Sequence, residues 1–109
     1  MSAKNSTIQK RLFIAFSDLA ILIALKNQSF TGYGINNYFL KKVGDAASPS
    51  TVYSSLASLE RKGWIECVSN SRGRVYALTK EGKKVTETMD VKAEEIKQFI
   101  DKLLKITSS

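Results

Sequence analysis

The sequence contains no histidine and a single cysteine. Without histidine there is no imidazole to serve as a general base near neutral pH or as a metal ligand. A lone cysteine, Cys67, cannot close an intrachain disulfide or assemble a cysteine-rich zinc site. That usage suits a reducing cytoplasm, the expected location. There is no phosphate-cradling P-loop, no glycine-rich dinucleotide turn after a strand and no Gly-x-Ser-x-Gly nucleophile elbow. Long hydrophobic runs are missing too. The most apolar stretch, Leu12 to Leu25, carries Asp18 in its middle and is followed by no small-residue cleavage site. It also falls short of the ~18–20 apolar residues of a spanning helix. The expectation is therefore a protein that is not an enzyme, needs no cofactor or metal and does not enter a membrane.

What is present is a surplus of positive charge. Seventeen Lys and Arg stand against ten Asp and Glu, a net charge of +7 on 109 residues. The length fits one domain, and 43% hydrophobic with 25% charged residues is ordinary for a globular chain. Such a surplus on so small a body favours a polyanionic partner, either nucleic acid or an anionic membrane surface. The surplus is also localised. Residues 1–44 carry net +5 and residues 48–84 net +4, whereas residues 85–109 carry −1. Phosphate neutralisation needs this concentration; a merely solvated surface is the alternative.

Periodicity orders the elements. Residues 1–8 read as a loose tail. A helix follows to Lys26, with a break near Ser17-Asp18 where Ser17 can cap, and with Leu19, Leu22, Ile23 and Leu25 as its apolar face. Thr31-Gly32 opens a second helix, on which Ile35, Phe39 and Val43 recur every four residues, and Gly44-Asp45 stops it. Ser48-Pro49 starts a third: serine caps free amides and proline gives up an N–H that had no partner. Val52, Leu56 and Leu59 form its buried face, and it ends at Arg61-Lys62-Gly63. The period then changes. Trp64 to Val68 and Arg74 to Leu78 read as paired strands joined by polar residues 69–73. Thr79 caps a last helix reaching about Ile106. Three helices, a β-hairpin and a long helix make a mainly α fold of winged helix-turn-helix type. The division is a DNA-binding domain over residues 9–79 and a C-terminal dimerisation helix over 80–109.

Four segments carry a resemblance. Leu19 to Leu25, Thr31 to Ile35, Ser48 to Ile65 and Arg74 to Gly82 are similar to the PadR-like winged-helix transcriptional regulators, across about residues 17–84. Two departures stand out. Gly34 occupies a position where the family often has an acidic residue, and the C-terminal part has one helix where many relatives have several. The resemblance implies a dimeric DNA-binding protein, usually a repressor, with Tyr33 in a structural role. Similar small winged helices also serve in plasmid partition.

On the third helix Ser50, Thr51, Ser54, Ser55 and Ser58, with Tyr53, form a polar face. Small hydroxyls let a helix sit deep in a major groove and bond base edges and phosphates; a solvated face is the bland reading. No Arg or Asn lies early in this helix for a bidentate base contact, so direct readout is expected to be modest. Arg61 follows at its end. Arg72 and Arg74 flank Gly73 at the hairpin tip, where a basic wing can enter or flank a minor groove, or where charge keeps an edge soluble. Asn36, Asn37, Lys41 and Lys42 on the second helix can hold phosphates. Trp64 is expected to close the core, and Cys67 to be a small strand residue. On the last helix Val85, Met89, Ile96, Phe99, Leu103 and Ile106 alternate by four and three, interrupted by Lys92. That stripe predicts a homodimer, or a helix folded back on Leu19, Leu22 and Ile23.

The leading expectation is a homodimeric, sequence-specific protein that binds double-stranded DNA and represses transcription by occluding an operator. A site-binding or DNA-coating protein of partition or chromatin type is the alternative, and a winged helix used for protein interaction is a third. A small-molecule effector is possible but not demanded by any residue.

Overall fold

The computed structural model describes residues 3–70 and 73–106, and the side chains of residues 7–68, 73–88 and 94–106 within them. The elements are α1 (Ala3–Asn27), β1 (Phe30–Thr31), α2 (Gly32–Val43), a 3-10 turn (Gly44–Ala46), α3 (Pro49–Lys62), β2 (Ile65–Asn70), β3 (Gly73–Leu78) and α4 (Lys80–Ile106). This is the mainly helical winged-helix architecture expected, with a small antiparallel sheet in the order β1-β3-β2.

Local chemistry explains most boundaries. Thr31 caps α2, its side-chain oxygen accepting the Gly34 amide at 2.9 Å. α3 ends on Gly63 at φ +79, a left-handed conformation that glycine adopts without a Cβ penalty. Thr79 caps α4 by accepting the Gly82 amide at 3.0 Å. Ser48 occupies the cap position of α3 but makes no side-chain bond to its amides; its hydroxyl pairs with that of Ser50 at 2.9 Å instead.

α1 differs from the sequence reading in three ways. It starts at Ala3, so residues 3–8 are helical where a tail was expected. It is unbroken at Ser17, because the Ser17 hydroxyl donates back to the Ile14 carbonyl at 3.2 Å and satisfies itself within the helix. Its inward face is Ile21, Leu22, Ala24 and Leu25, while Ile23 is half exposed. On α2, Ile35 and Phe39 are buried as expected, but Val43 is exposed. The chain there has already turned into the 3-10 segment, which buries Ala46 in its place.

The core joins Ile21, Leu22 and Leu25 of α1, Ile35 and Phe39 of α2, Val52, Leu56 and Leu59 of α3, and Ile65, Tyr76 and Leu78 of the sheet. Trp64 and Cys67 pack against it, in agreement with the structural roles expected. β1 was not foreseen. It pairs Phe30 with Tyr76 and Thr31 with Val75, which makes β3 the central strand and fastens the α1–α2 connection to the wing.

α1 and α3 also share a buried polar contact, the Ser17 and Ser55 hydroxyls at 2.5 Å. Since Ser17 donates its proton to Ile14, Ser55 is the donor to Ser17. Removing one partner strands the other, whereas removing both is nearly neutral. Ser17→Ala alone is expected to cost about 1–2 kcal/mol. Ser17→Ala with Ser55→Ala should cost less than the sum of the singles, as read from a double-mutant cycle in urea.

Candidate nucleic-acid interface

α3 is oriented by its apolar side. With Val52, Leu56 and Leu59 in the core and Ser55 against α1, the helix presents Ser50, Tyr53, Ser54, Ala57 and Arg61 to solvent. The spacing of three and four residues makes this a continuous outward stripe. Of the side chains singled out in sequence, Ser50, Tyr53, Ser54 and Arg61 lie on it. Thr51 is half-buried and turned toward α1. It lines, with Ser50, Ser54, Ser58 and Asp18, a cleft of about 590 Å³ between the two helices. Asp18 is paired there with Lys62 at 3.8 Å, and the same ammonium lies 5.1 Å from the Trp64 ring centroid.

Ala57 was missed in sequence, although its place between Ser54 and Arg61 on the wheel was readable. A small apolar side chain at such a point suits contact with a thymine methyl. Tyr33 was also misjudged. Among the described residues it is the most exposed of the large hydrophobic side chains, at 74%, because its position on α2 is nearly opposite Ile35. Tyr53 leans toward Gly32: a Cβ placed there would lie 2.8 Å from the Tyr53 ring, so this ring covers the first turn of α2.

The rest of α2 is divided. Lys41 and Lys42 are exposed, and Lys42 lies 5.6 Å from the Tyr38 ring centroid, beside Gln9 and Phe13 of α1. Asn37 is half-buried. Asn36 turns inward far enough that its side-chain oxygen is buried without a partner.

On the wing, Arg72 lies outside the described residues. Arg74 is exposed and bonded to Glu60 of α3. The Tyr76 hydroxyl first, then the Cys67 and Glu60 side chains, push its guanidinium further above the ordinary value. Its charge is constant with pH.

Away from this face, α4 packs along α1. Leu12, Phe16 and Leu19 of α1 and Ile96, Phe99, Ile100, Leu103 and Leu104 of α4 line an apolar groove of about 560 Å³. Phe99 is 61% exposed and Leu103 47%. Val85 packs against the core, Ile106 is exposed, and the Met89 side chain lies outside those described. The fold-back and the outward stripe are both present: α4 touches Leu19, but its apolar face is wider than α1 covers. No helix among the described residues is long and apolar enough to cross a membrane.

Comparison with known proteins agrees with this architecture. A PadR-like transcriptional regulator from Bacillus cereus superposes with a TM-score of 0.71 at 18% identity, covering 86% of this chain and 96% of that one. A PadR family transcription regulator from Clostridium difficile gives 0.65 at 26% identity, over 82% of this chain and 98% of that one. Bacillus subtilis PadR, solved in complex with p-coumaric acid, gives 0.58 at 28% identity, over 70% of this chain and 42% of that one. Among curated proteins none matches this chain in sequence. The model of the transcriptional regulator PadR-like family matches residues 21–88, more than half of the sequence, and the chain belongs to that family of DNA-binding transcriptional regulators.

Proposed function

We propose that the protein is a homodimeric repressor in which two copies fill successive major grooves of a pseudo-palindromic operator and occlude it. The observation that carries this reading is the outward stripe of α3 on a body that holds the chain's positive charge. Residues 9–79 form the DNA-binding unit. Ser50, Tyr53 and Ser54 face base edges, with Tyr33 and Ala57 beside them, while Thr51, turned toward α1, shapes the cleft behind them. Arg61, Lys41, Lys42 and Asn37 serve the phosphates, and the wing, with Arg72 and Arg74, flanks the minor groove. Asn36 contributes by shaping α2, given its inward oxygen. The protein works in the cytoplasm, without cofactor and without catalysing a reaction.

Residues 80–109 pair with a second copy. The groove between α1 and α4 supports this, because its lining is apolar apart from Glu95. The Bacillus subtilis relative binds p-coumaric acid, a carboxylate at neutral pH. Here the groove lining offers no cation to such a ligand and suits an apolar helix face better.

A selection from random duplexes tests the reading. One short preferred site with a two-fold repeat supports the repressor, whereas an extended footprint without preference replaces it with a DNA-coating protein. Ser50→Ala and Ser54→Ala locate the specificity. Each lost base contact should cost about 1–3 kcal/mol on the selected duplex and much less on a scrambled one at the same salt. Equal losses on both duplexes would mean contact with phosphates only, leaving specificity to DNA shape.

A further inference from the structure

Beyond Val75 the wing has no third strand among the described residues. β1 pairs only with Val75 and Tyr76, so the ribbon that pairs Ser69 with Arg74 and Asn70 with Gly73 rests on the β2–β3 ladder alone. A two-stranded ribbon without a packed face is marginal in water. Val68, at its root, is 56% exposed, so apolar packing does not hold it either. Among the described residues, one side chain of this ribbon reaches back to the body. The Arg74 Nη2 lies 3.5 and 3.4 Å from the two carboxylate oxygens of Glu60 on α3. The guanidinium carbon lies 5.8 Å from the Tyr76 ring centroid, so a cation–π contact and the ion pair hold the same group.

We propose that Glu60 and Arg74 form a latch that sets the angle of the wing against α3, making Arg74 a positioning residue for DNA binding more than a phosphate contact. The inference rests on the DNA-binding reading above and assigns Arg74 its part in it. α3 and the wing must meet two adjacent grooves at once, so their relative angle decides whether both engage. A latched wing holds that angle before DNA arrives, and the ordering cost of a free ribbon does not weaken binding. Exposed ion pairs are weak, so the latch is worth no more than about a fivefold change in Kd.

The sign of one substitution separates this role from the simpler one. If Arg74 only waits for a phosphate, Glu60 competes for it, and Glu60→Gln tightens DNA binding. If the pair is a latch, Glu60→Gln loosens the wing and weakens binding. Glu66→Gln, on an exposed carboxylate of β2, corrects for the change in net charge. The measurements are amide hydrogen exchange along residues 66–76 of the free protein, and duplex affinity across a salt series. Relative to Glu66→Gln, Glu60→Gln should speed exchange in the ribbon and weaken binding about two- to fivefold. The salt slope should stay the same, because the bound state keeps its phosphate contacts. Glu60→Arg combined with Arg74→Glu should restore the slow exchange of the ribbon. Tighter binding with a steeper salt slope for Glu60→Gln, or unaltered exchange, overturns the latch. If no protein in the series binds duplex DNA, the DNA-binding reading fails, and the exchange data still decide whether the pair orders the wing.

Discussion

Gly82→Ala is expected to destabilise the fold by about 3 kcal/mol, the upper end of ordinary overpacking costs, and to lower Tm by more than about 10 °C. A Cβ at this position would run into the Trp64 carbonyl oxygen, and would lie 2.9 Å from its carbon and 3.3 Å from Leu78 Cδ2. The carbonyl is not free to move away. It accepts the Thr79 amide at 3.1 Å, while the Thr79 hydroxyl donates to the Gly63 carbonyl at 2.6 Å and accepts the Gly82 amide. The first turn of α4 is thus bolted to the end of α3, and making room for a methyl group means breaking that junction. Helix propensity pulls the other way, since alanine in a helix is favoured over glycine by roughly 1 kcal/mol. The sign of the change in thermal unfolding therefore decides: a Gly82→Ala protein more stable than wild type would mean that α4 does not approach Trp64 this closely.

What was legible in sequence was what local chemistry determines. Thr31, Pro49, Gly63 and Thr79 mark helix ends through bonds or dihedrals within a few residues of themselves, and all four boundaries stand. The α3 core face was readable because Val52, Leu56 and Leu59 sit in an otherwise polar segment. The face of α1 was not, since every residue from Leu19 to Leu25 is apolar and the phase depends on what packs against it. β1 was invisible for a related reason. Two residues make no pattern, and Phe30-Thr31 becomes a strand because β3 offers an open edge. The site divides the same way. The α3 stripe follows from helical geometry alone. The partner of Arg74 does not, because Glu60 is brought near only when the hairpin folds beside α3. Asn36 was misread because a polar residue beside Ile35 gives no sign of which way its amide turns.

The apolar face of α4 yields the largest functional effect. Phe99→Asp with Leu103→Asp is expected to convert a dimer to a monomer and to weaken binding to a duplex with two half-sites by at least about 100-fold, the lower end of what linked binding contributes. Neither side chain belongs to the buried core of the winged helix, so the domain should still fold, as near-native far-UV circular dichroism would register. Both line the groove against Leu12, Phe16 and Leu19. With Leu104 at 64% and Ile106 at 69% exposed, they extend an apolar face that one copy of α1 does not cover. Exposed patches of this kind mark association surfaces. A carboxylate there must be desolvated without a partner, at a cost of several kcal/mol per group on pairing. Affinity for a duplex with a single half-site should change little, since α3 and the wing are untouched; this separates lost pairing from lost DNA contact. Ile100 and Leu104, which widen the stripe read from sequence, should tolerate exchange for other apolar residues. Sedimentation of the wild type is the direct measurement. A monomer at tens of micromolar would remove the dimer, and with it the requirement that the operator be two-fold symmetric, because a single winged helix reads one half-site without regard to spacing.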